Sequence, residues 1–353
     1  MTRDARSQDA ASRDAMSSDI TPFDITLHDG GPDVVVRWFE VSEDLVSMLG
    51  PAATDGGTGP VEIAEVAPAR AAATVMVVRD VAGRGDASAP RAVGEGALEA
   101  TPSAAEAPNV SDGDAVEVFM LRRRASMAFA PNRMVFPGGG VDARDADADL
   151  PWAGPSPKRW AEWLGAIDEA EARELVAAAA REVFEECGVL LAGPDEERLV
   201  GDVSGEEWEA ERDRLLSREQ SFAEMLIRRG LVLRTDLLRP WAHWVTPEFE
   251  PRRYDTRFFA ARLPEGQIPD DRTSEADSAD WVRPRELLAA LAEGRAAMLP
   301  PTVVCVEQVA EAPDTETFLA WAPPMRRIMP VLERTDSGTL RMRVELPVAG
   351  GRP

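Results

Sequence analysis

The stretch that decides the fold is Arg181-Glu182-Val183-Phe184-Glu185-Glu186-Cys187-Gly188-Val189. At about 100° per residue of an α-helix, its three glutamates fall within one sector of roughly 100°. The apolar residues of the same stretch gather on another face, which predicts packing against a sheet. Arg181 stands four residues before Glu185, a spacing that predicts an ion pair orienting that carboxylate. We therefore expect an amphipathic helix whose acidic face is turned to a cleft.

The ends of this helix carry their own signals. Asp168 followed by Glu171 has the spacing of a capping box, with Asp in the place of Ser or Thr. Gly188 supplies the residue that commonly ends a helix in the left-handed conformation. The sequence thus predicts a long helix over 169–187.

Three carboxylates crowded on one helix face repel one another unless cations lie between them. Hard oxygen ligands suit Mg²⁺ or Mn²⁺, so the pattern indicates a metal site formed by Glu182, Glu185 and Glu186. The alternative is a solvated acidic helix end, which is common in an acidic chain. The sequence upstream of the helix favours the metal site.

That upstream sequence is Phe136-Pro137-Gly138-Gly139-Gly140-Val141-Asp142-Ala143-Arg144-Asp145. Together with the helix it resembles the Nudix box, in which Gly139 matches the first glycine and residues 181–189 match the second half. The chain departs from the box in two ways. Asp145 stands in the place of the usual glutamate, and 35 residues, 146–180, replace the usual seven.

An insertion of this kind makes the chain similar to the Nudix hydrolases that include the peroxisomal coenzyme A diphosphatases. The resemblance extends over roughly residues 69–347. It implies an α+β protein with a Nudix α/β/α sandwich around a mixed sheet, plus a helical insertion and extra N- and C-terminal segments. It also implies catalysis by Arg181 and the three glutamates, with Mg²⁺ or Mn²⁺ as the cofactor.

Further site residues follow from the resemblance and from chemistry. Glu275 is a candidate for a fourth metal ligand or a base, with a surface acid as the alternative. Gly138 and Gly139 are expected either to let the backbone approach the substrate phosphates or to shape the loop beside them. Arg252 and Arg253 are candidates for binding the 3′-phosphate of coenzyme A, with an ordinary surface pair as the alternative.

The implied activity is Mg²⁺-dependent hydrolysis of the diphosphate bond of coenzyme A or acyl-coenzyme A. The products would be 3′,5′-ADP and 4′-phosphopantetheine or its acyl form. One alternative is a Nudix pyrophosphatase acting on NADH, ADP-ribose or another nucleoside diphosphate derivative. A non-catalytic Nudix module that binds a ligand is the alternative of another class.

Composition shifts divide the chain into segments. We expect a disordered tail (1–20), an N-terminal extension of unknown role (21–68), a Nudix domain (69–325) and a C-terminal hairpin and tail (326–353). Within the domain, 80–114 is a low-complexity loop and 146–180 is the insertion. The tryptophans of the insertion, Trp152, Trp160 and Trp163, either border the substrate or cover the core.

Overall composition limits the class of protein. With 39 Lys and Arg against 63 Asp and Glu, the net charge of −24 argues against a nucleic-acid partner. No apolar run approaches the roughly 20 residues that span a bilayer, so no membrane role is expected. Two cysteines in 353 residues and the absence of a secretory pattern at the start favour a cytoplasmic protein. The expected partner is a small nucleoside diphosphate, and a homodimer is an open alternative.

Overall fold

The computed structural model describes residues 34–41, 58–63, 65–81, 114–124, 132–270, 276–321, 323 and 325–347. The expected tail over 1–20 and most of the low-complexity loop lie outside the described residues, as does Glu275.

Fifteen strands are present in the described residues. In chain order they are β1 (Val34–Glu40), β2 (Gly59–Pro60), β3 (Ala69–Asp80), β4 (Val116–Arg123), β5 (Met134–Val135), β6 (Gly138–Gly140), β7 (Trp152–Ala153), β8 (Ala192–Gly193), β9 (Val232–Arg234), β10 (Leu238–Val245), β11 (Arg253–Arg262), β12 (Ala276–Val282), β13 (Arg327–Ile328), β14 (Val331–Arg334) and β15 (Leu340–Pro347).

The same residues contain seven α-helices. They are α1 (Pro157–Leu164), α2 (Glu169–Cys187), α3 (Glu206–Leu216), α4 (Phe222–Arg229), α5 (Pro284–Ala292), α6 (Pro300–Ala310) and α7 (Thr315–Ala320). The helix predicted over 169–187 is confirmed. Asp168 caps it through its side chain, and Gly188 ends it with a φ of 68°.

A mixed sheet forms the centre, with the strand order β12-β4-β3-β11-β10-β13. β3 and β11 run parallel, as do β10 and β13, whereas β3 and β4 are antiparallel neighbours. β6 adds to the exposed side of β3, where Gly139 lies opposite Ala73. The low-complexity loop therefore joins two adjacent strands of this sheet.

Alternation along β3 assigns its side chains to two cores. Val75 and Val77 pack on the side of α2, whereas Met76 and Val78 pack on the side of α6. This period of two is what a strand buried on both faces requires. The result is a helix–sheet–helix sandwich, so the predicted α+β class with a mixed sheet is confirmed.

The insertion contributes to the first of these cores. Trp160 of α1 is fully buried and packs against Phe259 of β11, with ring centroids 5.9 Å apart. Leu164, one turn later, is also fully buried. Of the two roles considered for the tryptophans of the insertion, the structure gives Trp160 the role of covering the core.

A second sheet joins the two expected terminal segments. Its order is β1-β15-β14-β2, and every neighbouring pair is antiparallel. We call these four strands the accessory sheet. The predicted hairpin is present as β14 and β15, and β1 from the N-terminal extension pairs along the whole of β15. None of the described helices is both long enough and apolar enough to cross a membrane.

Candidate active site

The three glutamates Glu182, Glu185 and Glu186 form the acidic group of α2, and we refer to them as the carboxylate group. Their side chains are held under the strand β6. Each residue is buried, with 9, 8 and 6% of its surface exposed, respectively. The expectation of an acidic face open to a cleft was therefore wrong, because β6 and its neighbours cover this face of the helix.

Arg181 holds the group together through four partners. Its Nη1 lies 2.9 Å from Oε1 of Glu182 and donates to Oε2 of Glu185 at 3.0 Å. The ion pair predicted from the i,i+4 spacing is thus confirmed. Its Nε and Nη2 donate to the two carboxylate oxygens of Asp145 at 2.8 and 3.0 Å, and Nη2 also donates to the carbonyl of Gly140. A bidentate contact of this kind fixes the guanidinium plane.

Asp145 reaches Arg181 because a short 3-10 turn follows β6. The turn, Ala143–Ala146, is capped reciprocally by Asp142 and Asp145. Asp145, which stands in the place of the usual glutamate, therefore forms a bidentate contact with Arg181. The sequence identified Asp145 as the matching acid but did not show which residue it binds.

The glycines of β6 allow a close approach between the strand and the carboxylate group. A Cβ atom on Gly139 would lie 2.6 Å from Oε1 of Glu182, well inside contact distance. The backbone amide of Gly138 donates to Oε2 of Glu186 at 2.7 Å. A Cβ atom on Gly138 would lie 2.4 Å from the carbonyl oxygen of Ala73, so the contacts that require glycine here are with β3 and with Glu182, whereas a contact with substrate phosphates stays a prediction.

Burial changes the ionisation of the carboxylate group. It raises the pKa of Glu182 to about 7, although the neighbouring Arg181 acts in the opposite direction. Burial also raises the pKa of Glu185, against the same opposing guanidinium. A positive charge added beside these two buried carboxylates would stabilise their ionised forms.

A second arginine, Arg212, binds the C-terminal end of α2. Arg212 of α3 is buried and donates from Nη2 to the backbone carbonyl of Glu185 at 3.0 Å. Its Nη1 donates to Asp270 at 2.6 Å. Arg212 thus places a positive charge at the C-terminal end of α2, where helix carbonyls lack partners. No sequence signal identified this residue.

The carboxylate group has the chemistry expected for a divalent metal, but its side chains do not converge on one point. Among the described residues, no three His, Cys, Asp or Glu side chains are arranged to hold a metal ion. Arg181 instead lies between Glu182 and Glu185. Buried carboxylate oxygens from Glu182, Glu185 and Glu186 fit a hard cation such as Mg²⁺.

A cavity of about 460 Å³ lies beside the glycine strand β6. This volume is within the usual range of small-molecule sites. Its lining is mainly apolar and comes from Ala72, Thr74, Arg123, Val135, Phe136, Gly138, Gly139, Gly140, Trp244, Val245, Thr246, Pro247, Glu250, Arg252, Tyr254, Thr256, Phe258, Leu299, Pro300, Pro301, Thr302, Pro330 and Met342. Gly138 and Gly139 thus border both the cavity and the carboxylate group.

The two predicted phosphate-binding arginines have different environments. Arg252 is exposed and lines the cavity, so its predicted role stays open. Arg253 is buried and donates to the carbonyls of Thr246, Pro247 and Ala67. The assignment of Arg253 to the 3′-phosphate was therefore wrong, because backbone carbonyls occupy its donors. Its side chain instead secures the turn between β10 and β11.

Several cavity residues escaped the site prediction. Glu250 lies in the turn between β10 and β11, and burial raises the pKa of its carboxyl while Arg133 opposes the shift. Met342 comes from the terminal hairpin, about 200 residues after the glycines. Nothing in the local sequence distinguishes these residues, since only the pairing of distant strands brings them to the cavity.

Comparisons with known proteins agree with this geometry. Residues 170–309 match the family model of the NUDT19 Nudix domain. A solved structure of a NUDIX hydrolase from Alicyclobacillus acidocaldarius aligns over 74% of this chain and all of that chain, with a TM-score of 0.52 and 23% identity. The sandwich and the carboxylate helix agree with these matches, so the predicted resemblance to the Nudix hydrolase family is confirmed.

Two curated relatives are similar to about half of this chain. Putative nudix hydrolase 7 of Caenorhabditis elegans is 29% identical over 56% of this chain and 57% of its own length. Acyl-coenzyme A diphosphatase NUDT19 of Xenopus laevis is 27% identical over 51% of this chain and 55% of its own length. The chain therefore spans about half the length of the curated relatives it matches.

Proposed function

We propose that the protein is a divalent-metal-dependent Nudix pyrophosphohydrolase that cleaves coenzyme A or acyl-coenzyme A. The products would be 3′,5′-ADP and 4′-phosphopantetheine or its acyl form. The observation that carries the proposal is the shared position of β6, whose glycines border both the buried carboxylate group and a cavity large enough for part of such a substrate. The similarity to a relative named acyl-coenzyme A diphosphatase supports the choice of substrate.

The carboxylate group would hold Mg²⁺ or Mn²⁺. The bound metal would neutralise the diphosphate and activate a water for in-line attack on phosphorus. Glu182, Glu185 and Glu186 would supply the oxygen ligands. Arg181 orients two of these carboxylates through its fixed guanidinium, and Arg212 holds the helix end that carries them.

The remaining residues bind and position the substrate. Arg252, at the cavity, would meet a phosphate group, because a guanidinium matches phosphate geometry. The apolar lining would exclude water from the part of the substrate away from the diphosphate. Glu275 as an additional ligand or base and a cytoplasmic location both stay predictions.

The experiment is a product assay on the purified protein with Mg²⁺ and, in parallel, Mn²⁺. Coenzyme A, a long-chain acyl ester, NADH and ADP-ribose are offered separately and in competition. We expect the largest kcat/KM for coenzyme A or the ester, with 3′,5′-ADP among the products. A larger value for NADH or ADP-ribose would support the alternative pyrophosphatase, and no turnover of any compound would support a binding module.

The metal assignment is tested with Glu185→Gln and Glu186→Gln, which remove charge while keeping the size of the side chain. Each should lower kcat by at least about a hundredfold, since one lost ligand weakens metal binding by several kcal/mol. Thermal unfolding should remain close to that of the wild type. Near-normal kcat in both variants at saturating Mg²⁺ would contradict the assignment.

A further inference from the structure

Several separate parts of the chain border the cavity beside β6, and four walls can be distinguished among them. One wall is β6 itself, and a second is the end of β10 with the turn into β11. A third is the start of α6, around Pro300 and Pro301. The fourth comes from the accessory sheet, through Met342 on β15 and Pro330 just before β14. The sheet formed by the N- and C-terminal strands therefore contributes directly to the candidate active site.

Met342 has a defined position in that sheet. It lies opposite Phe39 of β1 on one side and Leu332 of β14 on the other. A strand paired on both sides holds its side chains more firmly than an edge strand. The unbranched thioether of methionine adapts to the shape of an apolar ligand.

An ion pair connects the accessory sheet to another wall of the cavity. Nη2 of Arg37 on β1 donates to Oε1 of Glu307 on α6 at 3.0 Å, and the guanidinium is buried. The first turn of α6 supplies Pro300 and Pro301 to the lining. The ion pair between β1 and α6 therefore fixes the accessory sheet relative to the wall formed by the start of α6.

The chemistry of the lining indicates what it contacts. Phe136, Trp244 and Phe258 are only 3, 3 and 6% exposed, so their ring faces pack in the core and offer little surface for stacking a nucleobase, whereas Tyr254 in the same lining is half-buried. The rest of the lining consists mainly of proline, threonine, valine and glycine residues with Leu299 and Met342, together with the charged residues Arg123, Glu250 and Arg252. Such a lining suits an aliphatic chain that carries amides and hydroxyls.

We propose that Met342 is a specificity-determining residue that contacts the pantetheine arm of a coenzyme A-type substrate. The accessory sheet is then the element that separates such substrates from other nucleoside diphosphates. This inference rests on the proposed function, since it assigns one half of the proposed substrate to one wall of the cavity.

The test compares Met342→Trp, which fills the cavity, with Met342→Ala, which removes the contact. The matched control is Leu346→Ala, because Leu346 is on the same face of β15, packs against the same core and does not line the cavity. For each protein, kcat/KM is measured with coenzyme A and with ADP-ribose. Binding of 4′-phosphopantetheine and of 3′,5′-ADP is measured by calorimetry without added metal.

We expect Met342→Trp to lower kcat/KM for coenzyme A at least tenfold, mainly through KM, and to weaken 4′-phosphopantetheine binding to the same degree. Binding of 3′,5′-ADP and hydrolysis of ADP-ribose should change less than about twofold. Met342→Ala should lower the ratio of kcat/KM for coenzyme A to kcat/KM for ADP-ribose by a smaller factor. Leu346→Ala should leave this ratio unchanged.

Equal losses on all ligands, or a wild-type protein that does not bind 4′-phosphopantetheine, would overturn the inference. Failure of the proposed function has a different signature, namely no release of 3′,5′-ADP from coenzyme A by the wild type. In that case the calorimetric comparison still decides whether Met342 contacts the arm.

Discussion

Gly139 is the residue at which the fold and the site meet most closely. Its Cα faces the carboxylate of Glu182 at a distance that leaves no room for a methyl group. The group that would have to move is the far end of a flexible side chain, so the backbone can stay in place. A small change here should therefore affect the site more than the fold.

The corresponding prediction compares Gly139→Ala with Gly140→Ala. The first should displace the carboxylate of Glu182 and lower kcat at least tenfold, while the midpoint of thermal unfolding changes little. A Cβ atom on Gly140 would meet its nearest neighbour at 4.0 Å, which is ordinary contact, so the second variant is the matched control. Similar activity in the two variants would show that the position of Glu182 does not matter for turnover.

Helix α3 carries a buried charge whose ionisation contributes to stability. Glu211 is 1% exposed and accepts hydrogen bonds from Arg228, Gln220 and Arg229. Burial alone would raise the pKa of Glu211, but these donors lower it to about 2. The carboxylate thus links α3 to α4, which carries both arginines.

Because the pKa of Glu211 is lowered by folding, its contribution to stability is present above its usual pKa of about 4.5 and is lost as the pH falls toward about 2. Glu211→Gln should lower the free energy of unfolding by about 2 kcal/mol near pH 7. The difference from the wild type should shrink below pH 4.5. The control is Glu207→Gln, an exposed acid of the same helix, and a difference independent of pH would refute the assignment.

Helix α1 shows that the insertion is part of the core. Nε of Arg257 donates to the carbonyl of Leu164 at the end of this helix, and Trp160 fills the space above β11. Removing residues 148–166 would therefore expose the sheet. Such a deletion could not test whether the insertion affects substrate choice, because it would also damage the core. The single change Trp160→Ala tests directly how much this helix contributes to the stability of the core.

Trp160→Ala should lower the free energy of unfolding by about 3–5 kcal/mol, the usual cost of truncating a buried aromatic residue. Trp163→Ala, at a half-buried neighbour in edge contact with Trp160, should cost much less. Chemical denaturation of the two variants measures both. Equal losses would mean that the insertion is loosely packed around Trp160.

The local elements were predictable because their signals are local. The periodicity and the caps of α2 lie within about twenty residues, and the prediction of 169–187 agrees with the helix found. The box residues around Gly139 and Arg181 likewise meet as the motif implies. Long-range placement was not predictable in the same way. The burial of Arg253 and the position of Met342 depend on strand pairings that no short stretch encodes.

At the scale of the whole molecule, β1 is the strand whose contribution is easiest to isolate. Its Val36 and Phe39 are buried, and it covers the outer side of β15. Deleting residues 1–41 should lower the unfolding midpoint by at least several degrees and raise KM for coenzyme A through the loss of support for Met342. Deleting residues 1–33 removes the preceding chain alone, so the difference between the two deletions reports β1. No such difference would contradict the role given to the accessory sheet.

The pairing of β1 with β15 also bears on the order of events during synthesis. Val34 and Pro347 face each other across the ladder although roughly 300 residues separate them in the chain. On the ribosome, β1 is synthesised before β15, and the ladder between them can form only after β15 has left the exit tunnel. Closure of the accessory sheet is then a late, slow step of folding. The last cavity wall would form only after β15 has been translated, so a nascent chain would carry the carboxylate helix before it could select a substrate.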